Sequence, residues 1–462
     1  MTIKEPFRNI AAGQLDPSFG VEGFAELKSP DPSYDDYRTH VVNVGPDNKI
    51  YVAGQSSSGL NNHILTLARL NEDGLIDSSF ADNGYYHNYF YRSDKSIFYT
   101  EQIAFAHDRI LLIGTLFHWP IDGLRKDRAV ACFHPDGSID TDFGELGKFI
   151  FHASNDDEHS LEHTAYNEDC LKLERSTYAG LRQSRGPTLN PPKTCTVSDE
   201  HILMLHDSGS FDAIHSFIIR LTHRGQLDRS FNQTGYVRVQ HSEHPFLYLY
   251  SLTIDKFKNY ISAGYVRANY NGIPQAVVLT RHFNDGKLDT SYQNDGFLLI
   301  SAEAPNQFFI LEKTITQINN RILCIGTVAD KNDPDLMAGL LISREADGTA
   351  NIQFNGGQPV ITRMNASSTF LFHAAFQSDG SFLVGGLADL KDNPNIHYVV
   401  TRFFYNGIQD KDFGKEGGWK DYLEAKNRVR HTCVFTSKGV LLSAENKDND
   451  IISSAIARGL IP

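Results

Sequence analysis

An eleven-residue motif that recurs along the chain constrains its fold more than any other feature of the sequence. Near the N-terminus the motif reads GQLDPSFGVEG, from Gly13 to Gly23. Six further copies begin at residues 74, 137, 225, 286, 348 and 407, so consecutive first glycines lie 61, 63, 88, 61, 62 and 59 residues apart. A period near 60 that is kept along 462 residues predicts a repeat architecture, not a set of separate domains.

Each repeat also carries the pattern of four short antiparallel strands. In the first repeat, strand A is THVVNV, strand B is KIYVAGQ, strand C is HILTLARL, and strand D is GYYHNYF, which follows the motif. Short runs rich in β-branched and aromatic residues, divided by polar turns, are typical of β-hairpins. Seven such units predict an all-β fold: a seven-bladed β-propeller with four antiparallel strands per blade.

The two ends of the chain predict how the ring closes. The last unit contains strands A, B and C but no motif and no strand D, whereas the chain begins with a motif and the D-like strand GFAEL. We therefore expect residues 13–28 to complete blade 7, which would remove the open edges of the ring. The predicted boundaries of this single domain, residues 1–462, are blade 1 at about 40–91, blade 2 at 101–151, an insertion at 152–193, blade 3 at 194–241, blade 4 at 250–301, blade 5 at 313–363, blade 6 at 371–423 and blade 7 at 430–458.

The pattern G-x-[LI]-D-x-[SD]-F-x-x-x-G at this period resembles the bacterial delta-60 repeat, a propeller-type repeat of unsettled function. The resemblance covers nearly the whole chain, apart from the insertion and the sixth copy of the motif. In that copy Asn351 replaces the aspartate and Gly357 lies one position early. The resemblance implies a propeller fold and supplies no catalytic residue.

The motif residues are interpreted as structural. The first glycine suits a turn with positive φ, the aspartate can accept backbone N–H bonds, the aromatic ring is expected to be buried, and the closing glycine redirects the chain. A ring of aspartates that binds metal or ligand is the less favoured alternative, because one site rarely needs seven equivalent copies. The residues in these positions are Gly13, Asp16, Phe19, Gly23, Gly74, Asp77, Phe80, Gly84, Gly137, Asp140, Phe143, Gly147, Gly225, Asp228, Phe231, Gly235, Gly286, Asp289, Tyr292, Gly296, Phe354, Gly407, Asp410, Phe413 and Gly417.

Composition bears on partners and location. The formal net charge of −13 at pH 7 disfavours binding to nucleic acid or to anionic membranes. The first residues contain no apolar run of signal-peptide length, and no apolar run is long enough for a transmembrane helix, so we expect a cytoplasmic protein; export by another route stays open. Five cysteines without a CxxC pair fit a reducing compartment. The sequence predicts no cofactor and leaves the oligomeric state open.

The loops between strands indicate where binding occurs. In an A–B–C–D meander, the A–B and C–D turns share one face, called here the turn face, and the B–C and D–A loops share the other, the loop face. Because irregular loops on a rigid scaffold usually carry function, the loop face is the predicted binding face. The second B–C loop combines aromatic and basic side chains of the kind enriched at protein interfaces. These candidate binding residues are His118, Trp119, Arg125, Lys126 and Arg128, with the alternative that Trp119 only covers a blade edge.

The insertion at 152–193 lies on a D–A connection, so it is expected on the loop face. Helix-forming residues dominate from Glu158 to Leu181 and predict a short helix. His159, Glu162 and His163 match H-x-x-E-H, a zinc-peptidase pattern that places both histidines on one side of a helix. Because no third ligand is identifiable, a charged, solvated helix is favoured and no metal is predicted.

These observations favour a non-enzymatic scaffold that presents variable loops and a helical insertion to another protein. The alternative is a propeller enzyme, a hydrolase or lyase, with polar groups gathered from several blades at the mouth of the central channel. A sugar-binding lectin is the least favoured, because the B–C loops are too dissimilar to form repeated sites. No catalytic residue is predicted.

Overall fold

A computed structural model describes residues 15–58, 62–90, 96–118, 125–153, 193–198, 200–209, 212–270, 272–317, 319–332, 337–364, 366–390, 396–414, 419–425, 429–448 and 451–461. These residues form 28 β-strands and one 3₁₀ turn at Asn355–Gly357. The all-β class predicted from the sequence is confirmed. Within the described ranges, no helix is long and apolar enough to cross a membrane.

The strands are short and follow one another closely along the chain. The first half comprises β1 (Phe24–Leu27), β2 (Asp36–Val44), β3 (Ile50–Ser58), β4 (Asn62–Leu70), β5 (Tyr85–Asn88), β6 (Ser96–Ala106), β7 (Arg109–His118), β8 (Arg125–Phe133), β9 (Lys148–Phe151), β10 (Thr196–Val197), β11 (His201–Gly209), β12 (Ile214–Thr222), β13 (Tyr236–Val239) and β14 (Phe246–Ile254). The second half comprises β15 (Tyr260–Arg267), β16 (Pro274–His282), β17 (Phe297–Ile300), β18 (Gln307–Thr316), β19 (Ile322–Asp330), β20 (Met337–Arg344), β21 (Val360–Thr362), β22 (Ala366–Phe376), β23 (Phe382–Leu390), β24 (Ile396–Phe403), β25 (Trp419–Ala425), β26 (Val429–Thr436), β27 (Gly439–Asp448) and β28 (Ile451–Gly459).

Successive strands pair into antiparallel groups of four, called here units 1 to 6: β2–β5, β6–β9, β10–β13, β14–β17, β18–β21 and β22–β25. Units 3 and 4 form one eight-stranded sheet, because Ile214 of β12 bridges Phe246 of β14 in parallel. The remaining sheet has the order β1-β28-β27-β26 and is called here the terminal sheet. In it, β1 pairs antiparallel with β28, so Phe24 lies opposite Ala457.

The first strand of most units carries a β-bulge near its middle, and a glycine of the second strand faces it. The register shifts between Thr39 and Val41 in β2, for example. A Cβ added to Gly54 would lie only 1.9 Å from the carbonyl oxygen of Arg38, so the close approach of the two strands requires glycine here. Unit 3 has His206 in the equivalent position, and its first strand is reduced to the two residues of β10.

The core lies between neighbouring sheets. One cluster joins Leu67 of β4 to Ile103 and Leu112 of unit 2, and similar clusters join the later units in sequence order. A further cluster joins Leu27 of β1 and Ile456 of β28 to the strands of unit 1. Apolar burial between sheets is therefore the main force that holds each sheet against the next.

Candidate functional site

The motif aspartate and aromatic ring belong to a repeated contact with an arginine near the end of the third strand. In unit 1, Arg69 Nε donates to Asp77 Oδ2 at 2.9 Å, and the guanidinium carbon lies 4.7 Å from the centroid of the Phe80 ring. Arg69 Nη1 also donates to the carbonyl oxygen of Pro135 in unit 2 at 2.6 Å. Equivalent ion pairs, at 2.5 to 2.9 Å, are Arg220–Asp228, Arg281–Asp289, Arg402–Asp410 and Arg458–Asp16. This contact, called here the clip, ties a unit to its neighbour.

The clip engages the aspartate from several directions. Asp77 Oδ1 accepts bonds from the backbone N–H and the hydroxyl of Ser79, at 3.2 and 2.6 Å. The Ser79 hydroxyl, together with Lys49 and Arg69, lowers the pKa of Asp77 to about 2 even though burial acts to raise it. The aspartate is thus an ionised, internally bonded group. Gly13 and Gly417, two of the motif glycines, lie outside the described residues.

Two units depart from the clip, and both departures are compensated. In unit 2 Cys132 occupies the arginine position, and Arg109 of β7 takes over both roles: its Nε lies 2.6 Å from Asp140 Oδ2, and its Nη1 donates to the carbonyl of His223 at 2.9 Å. In unit 5 Ser343 replaces the arginine, and Asn351 Nδ2 donates to Ser343 Oγ at 3.0 Å. Loss of the aspartate in the sixth motif copy therefore accompanies loss of its cation, which leaves no buried carboxylate unpaired.

The predicted binding residues are placed differently by the structure. Trp119 lies outside the described residues, as do His159, Glu162 and His163 of the insertion. His118 ends β7 and Arg125 begins β8, opposite each other in the hairpin, and Lys126 is exposed. Arg128 differs from the prediction. The sequence suggests a residue on a loop, whereas Arg128 lies within β8 and its side chain is only 1% exposed.

Arg128 is instead the centre of a buried polar network. Its Nη1 lies 2.5 Å from Glu101 Oε2 on β6, and its Nη2 lies 2.9 Å from Cys195 Sγ. Thr115 donates its hydroxyl to the other Glu101 oxygen at 2.6 Å. Burial alone would raise the pKa of Glu101, but Arg128 and Thr115 hold it below its usual value. A carboxylate in this position is tolerated because charge and hydrogen bonds replace its lost hydration.

A second ion pair completes the network. Lys193 Nζ lies 2.5 Å from Asp207 Oδ2 and donates to the Leu249 carbonyl at 2.5 Å. The same ammonium lies 4.4 Å from the centroid of the Tyr250 ring, a cation–π contact. Burial lowers the pKa of Lys193, and Asp207 opposes that shift. Two acids and two bases make the network neutral, and its side chains are 1 to 15% exposed.

The network holds the C-terminal end of the insertion, and Asp127, which precedes Arg128 on β8, holds the N-terminal end. Lys193, the first described residue after 154–192, donates its backbone N–H to Glu101 Oε2 at 3.1 Å, and its carbonyl accepts from Arg128 Nη2 at 3.4 Å. At the other end, His152 Nδ1 lies 3.0 Å from Asp127 Oδ1. Glu101, Asp127, Arg128, His152 and Lys193 are called here the stem clamp. They fix the two ends of the insertion to adjacent positions of β8, Asp127 and Arg128.

Burial keeps one histidine beside the clamp and four thiols along the chain in their neutral forms. Burial, reinforced by Lys126, Lys193 and Arg128, lowers the pKa of His206 to about 3, so this imidazole is neutral. Burial also raises the pKa of the Cys132, Cys324 and Cys433 thiols to about 12, and it raises that of Cys195 against the opposing charge of Arg128. Among the residues that the structure describes, no three His, Cys, Asp or Glu side chains are grouped as metal ligands.

Sequence reasoning missed Glu101, Lys193 and Asp207 as members of a site. For Glu101 and Asp207 the signal was a charge placed within a strand, as in TEQIAF, where the pattern calls for an apolar or small side chain. A charge in such a position indicates a buried partner, although the sequence does not say which residue that partner is. Lys193 precedes β10 and gave no such signal.

Comparisons with known proteins support the fold. Residues 45–80 match a family described as "Domain of unknown function (DUF5122) beta-propeller", a β-propeller repeat family. No curated protein matches the chain.

Several solved structures are similar over most of the chain. One is a protein of unknown function from Dyadobacter fermentans, with 10% identity, 95% of this chain and 100% of that chain covered, and a TM-score of 0.41. Another is an ulvan lyase of polysaccharide lyase family PL25, with 8% identity, 94% and 96% covered, and a TM-score of 0.48. A third is a sialidase from Trypanosoma rangeli, with 8% identity, 95% and 58% covered, and a TM-score of 0.40. At this level of likeness, nothing about their activities transfers to this chain. The chain is thus an all-β protein that, over residues 45–80, resembles a β-propeller repeat family.

Proposed function

We propose that the chain is a seven-bladed β-propeller, closed where β1 joins β28, and that it is a platform whose loop face binds another protein. Units 1 to 6 are the first six blades, and the terminal sheet is the seventh. The clips support this ring. Arg458 of β28 holds Asp16 and donates to the Glu72 carbonyl of unit 1 at 2.7 Å, as Arg69 holds Asp77 and donates to Pro135 of unit 2.

The backbone repeats the same relation at the edge of each unit. Gly20 donates its N–H to the Asp73 carbonyl at 2.6 Å, which joins the terminal sheet to unit 1. The equivalent bond from Ala81 to Asp136, also at 2.6 Å, joins unit 1 to unit 2. The terminal sheet therefore stands to unit 1 as unit 1 stands to unit 2, which is the relation that a closed ring requires.

A serine that joins the third strand of one sheet to the first strand of the next gives independent support. Ser454 of β28 accepts from the Thr39 N–H at 2.7 Å and donates to the Tyr37 carbonyl at 3.1 Å. Ser216 of unit 3 makes the same two bonds to β14 of unit 4, at 2.9 and 3.1 Å. Contacts between consecutive units in the middle of the chain thus recur between its last and first sheets.

The stem clamp is the observation that carries the binding function. A connection that only spans two blades needs few residues; the link between β13 and β14 uses residues 240–245. The insertion is far longer, and contacts with two neighbouring residues of β8 fix both of its ends. His152, which is half-exposed, pairs with Asp127, and the Lys193 carbonyl accepts from the buried Arg128. β8 directly follows the segment 119–124, which contains Trp119. A charged network in the core costs desolvation free energy, so we infer that it serves to hold the chain in a fixed geometry. It fixes one base for two neighbouring variable segments, the one that contains Trp119 and the insertion.

Capture of partners by immobilised protein tests this proposal. In the test variant, residues 155–191 are replaced by a Gly/Ser linker of the length of the 240–245 connection. The control is Phe257→Ser, which removes a side chain that is 67% exposed on the turn face. Proteins captured from a lysate of the source organism are quantified by mass spectrometry on both variants and on the unaltered chain.

We expect at least one protein to be retained by the unaltered chain and by the control, and to fall about tenfold or more on the linker variant, as for loss of an interface centre. Equal capture by all three proteins would contradict a loop-face platform. Circular dichroism and the thermal midpoint of each variant show that the comparison is between folded proteins.

One observation favours the second candidate, an enzyme. Glu101 of unit 2 and Asp207 of unit 3 converge on Lys193, which precedes β10. The platform is preferred because each of these groups is already bonded to an opposite charge and nearly enclosed, which leaves none positioned to act on a substrate. An activity lost in Glu101→Gln, without loss of folding, would reverse that preference.

A further inference from the structure

The turn face of unit 6 presents an apolar patch that the fold does not need. Phe404, Tyr405 and Ile408 lie on the turn that follows β24 and opens the motif, and they are 43, 59 and 61% exposed. Ile352, on the neighbouring motif of unit 5, is 76% exposed. The two loops touch, because the Asn355 N–H donates to the Asn406 carbonyl at 2.9 Å. These four side chains are called here the turn patch.

The repeats provide an internal control for this patch. The three turn positions are filled in units 1 to 5 by mostly polar or small residues: Asn71, Glu72 and Leu75; His134, Pro135 and Ser138; Thr222, His223 and Gln226; Phe283, Asn284 and Lys287; Glu345, Ala346 and Thr349. In units 1 to 5 no turn has more than one large apolar side chain at these positions, whereas unit 6 has three, all exposed. The terminal sheet has Leu460 and Ile461 at the first two positions, but both are partly buried. The position of Ile352 is Pro17, Ser78, Thr141, Arg229, Thr290 or Lys411 in the other motif copies.

Backbone contacts, not these side chains, fix the shape of the turn. Phe404 N–H donates to the Ile408 carbonyl and Gly407 N–H donates to the Phe404 carbonyl, both at 2.9 Å. Gly407 packs on the Phe354 ring, where an added Cβ would lie 3.0 Å away. The same backbone bonds form in the polar turns of other units, as from Glu345 to Thr349 at 2.9 Å. The exposed apolar groups are therefore dispensable for folding and point to contact with another molecule.

Charge around the turn patch selects the kind of partner. Asp347, Asp379 and Asp412 are exposed on adjacent turns of the same face. The cations nearby are engaged: Lys411 donates to Gln409 at 2.7 Å, Arg321 pairs with Glu345 at 3.0 Å, and Arg402 pairs with Asp410. An apolar centre with an acidic rim complements a surface that carries apolar side chains between lysines or arginines. A second copy of this acidic chain, with its net charge of −13, fits less well.

We propose that the turn patch docks a basic polypeptide segment of another protein, one that inserts apolar side chains among Phe404, Tyr405, Ile408 and Ile352. This site lies on the face opposite to the loop-face platform and does not depend on it. The two bind independently, so the propeller joins two partners.

Selection from a displayed library of short random peptides tests this proposal on the full chain. The test variant, Phe404→Asn/Tyr405→Glu/Ile408→Ser, carries residues that other turns already hold at the same positions. The matched control, Leu75→Ser/Phe283→Asn, removes exposed apolar groups elsewhere on the turn face. Selected peptides are then synthesised, and their binding to the three proteins is measured by fluorescence anisotropy.

We expect the selected peptides to be rich in Lys or Arg and in large apolar residues. Their affinity should fall about tenfold or more on the test variant and stay unchanged on the control. Peptides without basic bias, or equal binding to the test variant, would overturn the proposal. So would a dimer, seen by sedimentation velocity, that dissociates in the test variant, because the patch would then bind a second copy. Loss of residues 155–191 should leave this binding unchanged.

Discussion

Replacing Arg128 by methionine should destabilise the protein strongly at neutral pH and weakly in acid. The substitution keeps the volume of the side-chain stem but leaves the Glu101 carboxylate, 9% exposed, without its cation. Removing one partner of a buried ion pair typically costs about 3–5 kcal/mol, because the remaining charge is desolvated and unpaired. The Thr115 hydroxyl and the Lys193 N–H still bind Glu101, so the lower part of that range is expected.

The pH dependence has a definite sign. In the unaltered protein Arg128 and Thr115 hold the pKa of Glu101 below the ordinary value of 4.5, so this group stabilises the fold above that pH and loses its contribution below. In Arg128→Met the pull of the cation is gone and burial raises the pKa. The variant therefore regains stability, relative to the unaltered chain, as the pH falls and Glu101 takes up a proton.

Urea unfolding followed by circular dichroism between pH 4 and pH 8 measures this difference. Lys126→Met is the matched control, since it removes an exposed cation from the same strand and should change the unfolding free energy by about 0.5 kcal/mol or less. In Glu101→Gln/Arg128→Met the charge is removed from both sides, and much of the loss should be recovered. A loss below about 1 kcal/mol for Arg128→Met at pH 7, or one that grows towards acid pH, would refute the reasoning.

Three further outcomes follow from the repeated contacts. Ser343→Arg alone should lower the thermal midpoint because it buries an unpaired cation, whereas Ser343→Arg/Asn351→Asp should restore a clip and recover stability; equal midpoints would count against the clip. Gly54→Ala should cost about 1–3 kcal/mol in urea unfolding, since its Cβ would meet the Arg38 carbonyl at 1.9 Å, and a neutral result would mean that the strands do not approach so closely. In a Cys170→Ser background the four described thiols, buried and with raised pKa, should resist a thiol reagent at pH 8 until the protein unfolds, and rapid labelling of the native protein would contradict their placement.

The strands and turns were predictable because they repeat. A feature that occurs once gives little evidence, but seven copies of one motif fix the period and the strand pattern by their agreement. The clip was also readable in principle, since arginine precedes aspartate by eight residues in units 1, 3, 4 and 6. Local backbone bonds already account for an aspartate in a turn, so the sequence alone does not call for a cation beside it.

Contacts that join residues distant in sequence were not predictable. Arg109 replaces the missing arginine of unit 2 from the start of the second strand, a position from which Lys49 and His201 also reach the motif aspartates of units 1 and 3. The stem clamp joins β6 and β8 to a residue that follows the insertion, so no periodic pattern reveals it. Charged residues dominate RKDR, a pattern typical of a loop, and the burial of Arg128 within β8 shows that its side chain faces inward.

The pairing of β1 with β28 is the contact on which the proposed closed ring depends, and a disulfide between the two strands tests it most directly. Ala25 and Ile456 lie opposite each other in this pair, a position within the reach of a disulfide between antiparallel strands. We expect Ala25→Cys/Ile456→Cys, in the Cys170→Ser background, to form an intramolecular bond that raises the thermal midpoint and shifts gel migration without reductant. A double variant that stays reduced, or that links only different molecules into dimers, would contradict the closed seven-bladed ring.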